Sequence, residues 1–216
     1  MSKKLCVIST KNPTDILIEC INNVLKYYPD FDLLVVDSNS DKTDGFSKIP
    51  ANVKLDLIKN TNWELGAWLY AYNNYEYDVY MFIQDSLVPI YPMDLSDIET
   101  SVYSFNYTAR LKDGDHLASH TLLKNIYKDT KLNFISETSG EDIILGCAHS
   151  SFIANRTNTS KILELERVYV KNKLTKTKID SWLSERSVGM VMDNYNMNRI
   201  NIINFFKKYN LRRDYI

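Results

Sequence analysis

Three apolar runs in the first ninety residues each stop at a cluster of small polar residues. Leu5–Ser9 runs into Ser9-Thr10-Lys11, Phe31–Val36 into Asp37-Ser38-Asn39-Ser40-Asp41, and Val79–Ile83 into Gln84-Asp85-Ser86. Between them lie helical patterns. Asn12-Pro13-Thr14-Asp15 is a helix start, and Ile16, Cys20 and Val24 recur at i, i+4 beside Leu17, Ile21 and Leu25 up to Pro29. Val53, Leu55 and Leu57 alternate as in a strand, and Trp63–Tyr75 reads as a helix. Short, continuously apolar strands separated by helices predict a mostly parallel sheet covered on both faces.

The rhythm changes after Pro89 and Pro92. Residues 93–140 are more polar and carry no clear period, and Ile143–Ile153 contains one more apolar run. Ile179–Met192 and Asn198–Tyr209 are expected as helices. No internal repeat or low-complexity linker divides the chain. The expectation is one α/β domain with a central, mostly parallel sheet flanked by helices. Its first half is Rossmann-like and its second half more irregular.

Several function classes fall away on composition. The six glycines, Gly45, Gly66, Gly114, Gly140, Gly146 and Gly189, are too far apart for a GxGxxG turn or a P-loop, and no GxSxG elbow exists. A formal net charge of −1 gives no basis for binding nucleic acid or an anionic membrane. The basic stretch Lys207–Arg213 reads as a solvated helix end. The start, MSKKLCVIST, is too short in apolar residues for a signal peptide or a membrane span. Cys6, Cys20 and Cys147 are odd in number, and the first two fit apolar patterns. They are expected as reduced core thiols in a cytoplasmic protein.

Open α/β sheets bind ligands beyond the carboxyl ends of their strands. The clusters at Ser9-Thr10, Asp37-Ser38 and Gln84-Asp85-Ser86 belong there, with Asn60-Thr61-Asn62-Trp63-Glu64-Leu65-Gly66-Ala67 between the last two. Hydroxyls, an amide and a carboxylate can read a base and a ribose. A carboxylate beside a diphosphate can hold a divalent cation.

Taken in order, LLVVDSNSDKTD, NTNWELGAW and DVYMFIQDS resemble the nucleotide-binding half of GT-A-fold glycosyltransferases, including short enzymes of large DNA viruses of the chlorella virus type. The resemblance covers roughly residues 3–90. It implies a glycosyltransferase domain over 1–216, with a nucleotide-binding half at 1–90 and an acceptor half at 91–216. It also implies a nucleotide-sugar donor, UDP-linked by preference, a glycan or glycoprotein acceptor, and Mn²⁺ or Mg²⁺. For a viral source the location would be the host cytoplasm. Donor-side residues would be Ser9, Thr10, Asp37, Ser38, Asn60, Trp63, Gly66, Ala67, Gln84 and Arg186. The departure is at Gln84-Asp85-Ser86. A DXD motif has two acids where this triplet has one, so Asp85 is the expected metal ligand.

An acceptor hydroxyl needs a base in an inverting transfer. The resemblance places a carboxylate on a helix in the second half, which makes Glu185 the first candidate and Asp142 the second. Glu185 also suits the surface of an amphipathic helix. Trp68 fits a core position better than a stacking platform. His149 sits in a small-residue stretch that could border an acceptor pocket or merely pack there. His116 and His120 are spaced i, i+4 but lack a third ligand for zinc. Two rivals share the layout. A sugar-nucleotide nucleotidyltransferase would want glycines after the first strand, where Ser9–Pro13 has none. A catalytically silent binding module would keep the fold without turnover.

Overall fold

The computed structural model describes residues 2–60, 62–110, 143–171 and 178–210. Strand β1 (Lys4–Thr10) leads to helix α1 (Asp15–Tyr27), β2 (Asp32–Ser38), a 3-10 turn (Asp44–Lys48) and β3 (Lys54–Ile58). Helix α2 (Trp63–Asn74) is followed by β4 (Val79–Gln84), β5 (Leu87–Pro89) and β6 (Ser101–Arg110). Then come β7 (Ile143–Asn155), α3 (Arg156–Lys171), α4 (Lys178–Asn194) and β8 (Asn198–Asn201). A 3-10 turn (Ile203–Phe205) and β9 (Phe206–Lys208) complete the described chain.

Seven strands make one sheet in the order β3-β2-β1-β4-β7-β6-β8. β1 to β4 run parallel, β7 is antiparallel to both β4 and β6, and β8 is parallel to β6. This is the mostly parallel α/β sheet the strand–helix rhythm predicts. The apolar runs are continuous because both faces are covered. In β1, Cys6 and Ile8 join the core under α1, with Leu17, Cys20, Ile21 and Val24. The intervening Leu5 and Val7 join the other core, with Trp68, Phe82, Ile162 and Val188. β4 splits likewise, Met81 and Ile83 to one side, Tyr80 and Phe82 to the other. All three cysteines are buried free thiols.

Helix α1 starts as its sequence demands. The Thr14 hydroxyl accepts from the Ile16 N–H at 3.3 Å, with Asp15 in the first turn and Lys26 in the last. At its other end the Tyr28 N–H reaches Val24 O at 2.8 Å, and Pro29 follows.

Residues 198–209 are not the expected helix. Asn198–Asn201 instead pairs in parallel with Ser101–Ser104, and Phe206–Lys208 pairs antiparallel with Leu87–Pro89. Asparagine is a weak helix former, while the edge of β6 offers a full ladder of backbone donors and acceptors, and the ladder wins. The ambiguous stretch after Pro92 likewise contains a strand, β6. Asp142, His116 and His120 lie outside the described residues. No helix among the described residues is long and apolar enough to cross a membrane.

Candidate nucleotide-binding and transfer site

The chain order reverses at β1, which has β2 on one side and β4 on the other. That switch point is where an open α/β sheet leaves a crevice. The polar clusters meet there and are stitched together. Thr10 pairs in register with Asp37, and its hydroxyl donates to Asp85 Oδ2 at 2.5 Å. The Asn12 N–H donates to Ser40 Oγ at 2.6 Å, while Asn12 Oδ1 accepts from the Asp41 and Lys42 N–H groups at 2.9 and 3.1 Å. Asn60 Nδ2 donates to Ser38 Oγ at 3.0 Å. Asn12 adopts φ 54°, the left-handed conformation that a glycine would otherwise supply.

Individual candidates fare differently. Ser9, Thr10, Asp37 and Ser38 are buried at the strand ends. Both Asp37 oxygens already serve Ser40: Oδ2 takes its N–H at 3.1 Å and Oδ1 takes its hydroxyl. A Cβ on Gly66 would lie 1.9 Å from Asn60 Oδ1, so the missing side chain makes room for the Asn60 carboxamide. Ala67 is wholly enclosed in the apolar core with Leu65 and Trp68. Trp63 opens α2, and its side chain lies outside the described residues. Trp68 is core, tilted on Phe82, with its Nε1–H donating to Ser150 O at 3.0 Å.

The triplet closing β4 points two ways. Asp85 is 1% exposed and turns toward Thr10 and α1. It lies near enough to α1 to act on Cys20, whose thiol is pushed up mainly by burial, then by Cys6 and by the Asp85 charge. Gln84 and Ser86 face the other way, toward β9. Lys208 Nζ donates to Ser86 Oγ at 2.7 Å and to Gln84 Oε1 at 3.4 Å. Among the described residues, this arrangement does not fit the expected divalent ion. The one acid of the triplet is covered and engaged, and an ammonium stands at the two outer positions. Among the described residues, no three His, Cys, Asp or Glu side chains stand together as a ligand set.

Across from the triplet stands Glu185. Between Ser104 and Asn106 of β6 the ladder moves from Phe152 to Cys147, so residues 148–151 of β7 bulge out. His149 and Ser150 sit there at φ 57° and 48°. Two consecutive left-handed, non-glycine residues are costly and need support. Trp68 holds Ser150 O from α2, and Ser184 Oγ meets Ser150 Oγ at 3.0 Å from α4. The bulge brings His149 Nδ1 to 3.7 Å from Glu185 Oε1, and the His149 backbone hydrogen-bonds to the Glu185 carboxylate.

Glu185, 14% exposed, has its pKa pushed up to about 7, first by burial and then by the Glu64 charge. Lys208 and Arg186 pull against that rise. Burial, assisted by Lys208, lowers His149 to about 3, so the imidazole is neutral near neutral pH. Arg186 is also buried and hydrogen-bonds to Tyr107, while its Nε finds no hydrogen-bond partner among the described residues.

The chain matches no known protein-family profile and no curated protein sequence. Among solved structures it is similar to a mannosyltransferase from Pyrobaculum calidifontis, determined in complex with GDP-mannose and Mn²⁺. The identity is 14% and the TM-score 0.39, over 48% of this chain and 35% of that one. The match spans about a third of that protein's length, and its ligands are statements about that protein alone.

Sequence reading missed Lys208 and Glu64. Lys208 was hidden by the helical expectation for 198–209, since the paired apolar residues Ile202-Ile203 and Phe205-Phe206 before it carry no strand alternation. Glu64 falls in the helix expected over Trp63–Tyr75, in its first turn, and nothing local shows that its charge would act on Glu185.

Proposed function

We propose that the protein is a glycosyltransferase using a nucleotide sugar, UDP-linked by preference, with a glycan or glycoprotein acceptor. The observation that carries this reading is the convergence of polar groups at the ends of β1, β2 and β4. The hydroxyl and amide clusters at the switch point face a buried carboxylate, Glu185, whose pKa of about 7 suits a general base. Ser9, Ser38 and Asn60 offer small hydrogen-bonding groups to a pyrimidine nucleoside. Asp37 and Gly66 have structural roles beside the site, and Ala67 belongs to the core beneath it. Arg186 supplies positive charge behind the leaving diphosphate.

In the transfer, the acceptor oxygen forms a bond to the sugar's anomeric carbon. The bond from that carbon to the phosphate oxygen breaks, and its electron pair leaves on the nucleoside diphosphate. Glu185, ionised, takes the acceptor's hydroxyl proton. The neutral His149 holds the carboxylate by its backbone and lines its flank. The groups that act in this step are side chains of the chain itself, since no three His, Cys, Asp or Glu among the described residues stand together as a ligand set.

Release of UDP or GDP from a panel of nucleotide sugars tests the reading. UDP-sugars should be turned over, and Glu185→Gln should slow turnover by about 10²–10⁴-fold while leaving donor affinity nearly unchanged. Binding without turnover of any donor favours the silent module. Failure to bind any nucleotide sugar, with or without Mn²⁺, sinks the reading outright.

A further inference from the structure

We propose that the Lys208 ammonium takes the place of a divalent cation at this site. It would hold the donor diphosphate and stabilise the negative charge that grows there as the sugar leaves. The proposal rests on the nucleotide-sugar reading and adds the group that binds the phosphates.

Three observations place Lys208. First, its Nζ bonds the two outer side chains of the Gln84-Asp85-Ser86 triplet, at 3.4 and 2.7 Å. These are the positions that carry acids in a DXD motif. Here they carry an amide and a hydroxyl, which can bond an ammonium without adding negative charge. Second, the lysine is pre-positioned. β9 pairs with β5 with Lys208 opposite Leu87, and the Tyr209 N–H donates to Ser86 O at 2.9 Å, locking β9 to the triplet. Third, Lys208 lies near enough to both Glu185 and His149 for its charge to act on each. A diphosphate bound at the ammonium would lie beside the carboxylate that takes the acceptor proton.

A lysine is a point charge with three donors and a common phosphate ligand. It neutralises one charge where a divalent ion neutralises two, so Arg186 would act with it. The neighbouring Lys207 is an internal control. It points to the other face of β9, where its Nζ donates to Tyr209 Oη at 2.7 Å and that hydroxyl donates to Glu19 at 2.8 Å.

The test is calorimetric titration of inorganic pyrophosphate and of UDP into the full chain, first with a chelator and then with Mn²⁺. Wild type should bind both in chelator, with Mn²⁺ changing affinity by less than about threefold. Lys208→Met should weaken pyrophosphate binding by about tenfold or more, as expected for losing a charge-assisted hydrogen bond. Lys208→Arg should restore most of it, and Lys207→Met should match wild type. Melting curves of the apo variants confirm folding. Binding that requires Mn²⁺, or a Lys208→Met affinity within about twofold of wild type, overturns the proposal and leaves the nucleotide-sugar reading standing. Absence of UDP binding in wild type under every condition overturns both.

Discussion

Glu185 and His149 are neighbours whose titrations oppose each other. Glu185 titrates at about 7 in the folded chain, above its ordinary value of 4.5. Its contribution to stability is therefore full below about pH 4.5 and is lost as pH rises through about 7. His149 titrates at about 3 against an ordinary 6.5, so its contribution is present above that value and is lost as pH falls toward 3. Between about 4.5 and 6.5 one group loses what the other gains, and the pair leaves stability nearly level. Glu185→Gln removes one side of that balance. The variant should gain stability relative to wild type as pH rises from about 5 to about 7.5, by on the order of 1–3 kcal/mol. Urea unfolding at both ends of the range measures the gap, and a gap that ignores pH would mean an unperturbed carboxyl. Asp85 gives a second residue-scale expectation. Its bond from the Thr10 hydroxyl is buried, so Asp85→Ala should cost about 1–3 kcal/mol by leaving that hydroxyl unsatisfied. Combined with Thr10→Val, the losses should be clearly less than additive, and additive losses would mean the two side chains do not interact.

At the scale of elements, the site depends on how closely α4 lies on β7. A Cβ on Gly189 would come within 2.1 Å of Leu145 O and 2.8 Å of Gly146 Cα, and neither backbone atom can swing aside. Gly189→Ala should therefore lift α4 from the sheet and destabilise the chain by about 1–3 kcal/mol. It should also draw water to Glu185, one turn earlier on the same helix, and move its pKa back toward the ordinary carboxyl range. Denaturant unfolding reads the first effect, and the pH dependence of donor turnover reads the second. A Gly189→Ala protein with wild-type stability would mean that the helix has room to spare. The bulge in β7 is the partner device. Trp68 and Ser184 reach Ser150 from two different helices, and the neighbouring left-handed residue, His149, is tied to Glu185 by its backbone.

Across the whole molecule, the sheet aligns the ends of β1, β2 and β4, while β7, α4 and β9 close over them. A ligand that bridges both groups should stabilise the folded state by mass action. At a hundred times its dissociation constant, UDP should contribute about 2.7 kcal/mol. For a chain of this size that raises the unfolding midpoint by about 5–10 °C. UDP should exceed GDP and ADP in this effect, and should keep it in chelator. Thermal melts with the three nucleotides decide the point, and an equal or larger shift with GDP or ADP would reassign the base.

The alternation of apolar runs with helical periods determined the first half of the fold by itself. Strand ends, helix starts and the meeting of the polar clusters all follow from period, capping and the geometry of parallel sheets, which are properties of neighbours along the chain. The sequence also singled out Gln84-Asp85-Ser86 and Glu185. Tertiary structure alone decided what those residues face. Gln84, Asp85 and Ser86 are consecutive, yet the turn after β4 sends Asp85 to the α1 core and the outer two to Lys208, more than a hundred positions away. The pairing of 198–208 as strands was invisible for the same reason. Weak local propensity leaves the choice to hydrogen-bonding edges that exist only once β5 and β6 are in place. Burial, which makes Glu185 a candidate base, is likewise a property of the packed cleft and of no residue within it.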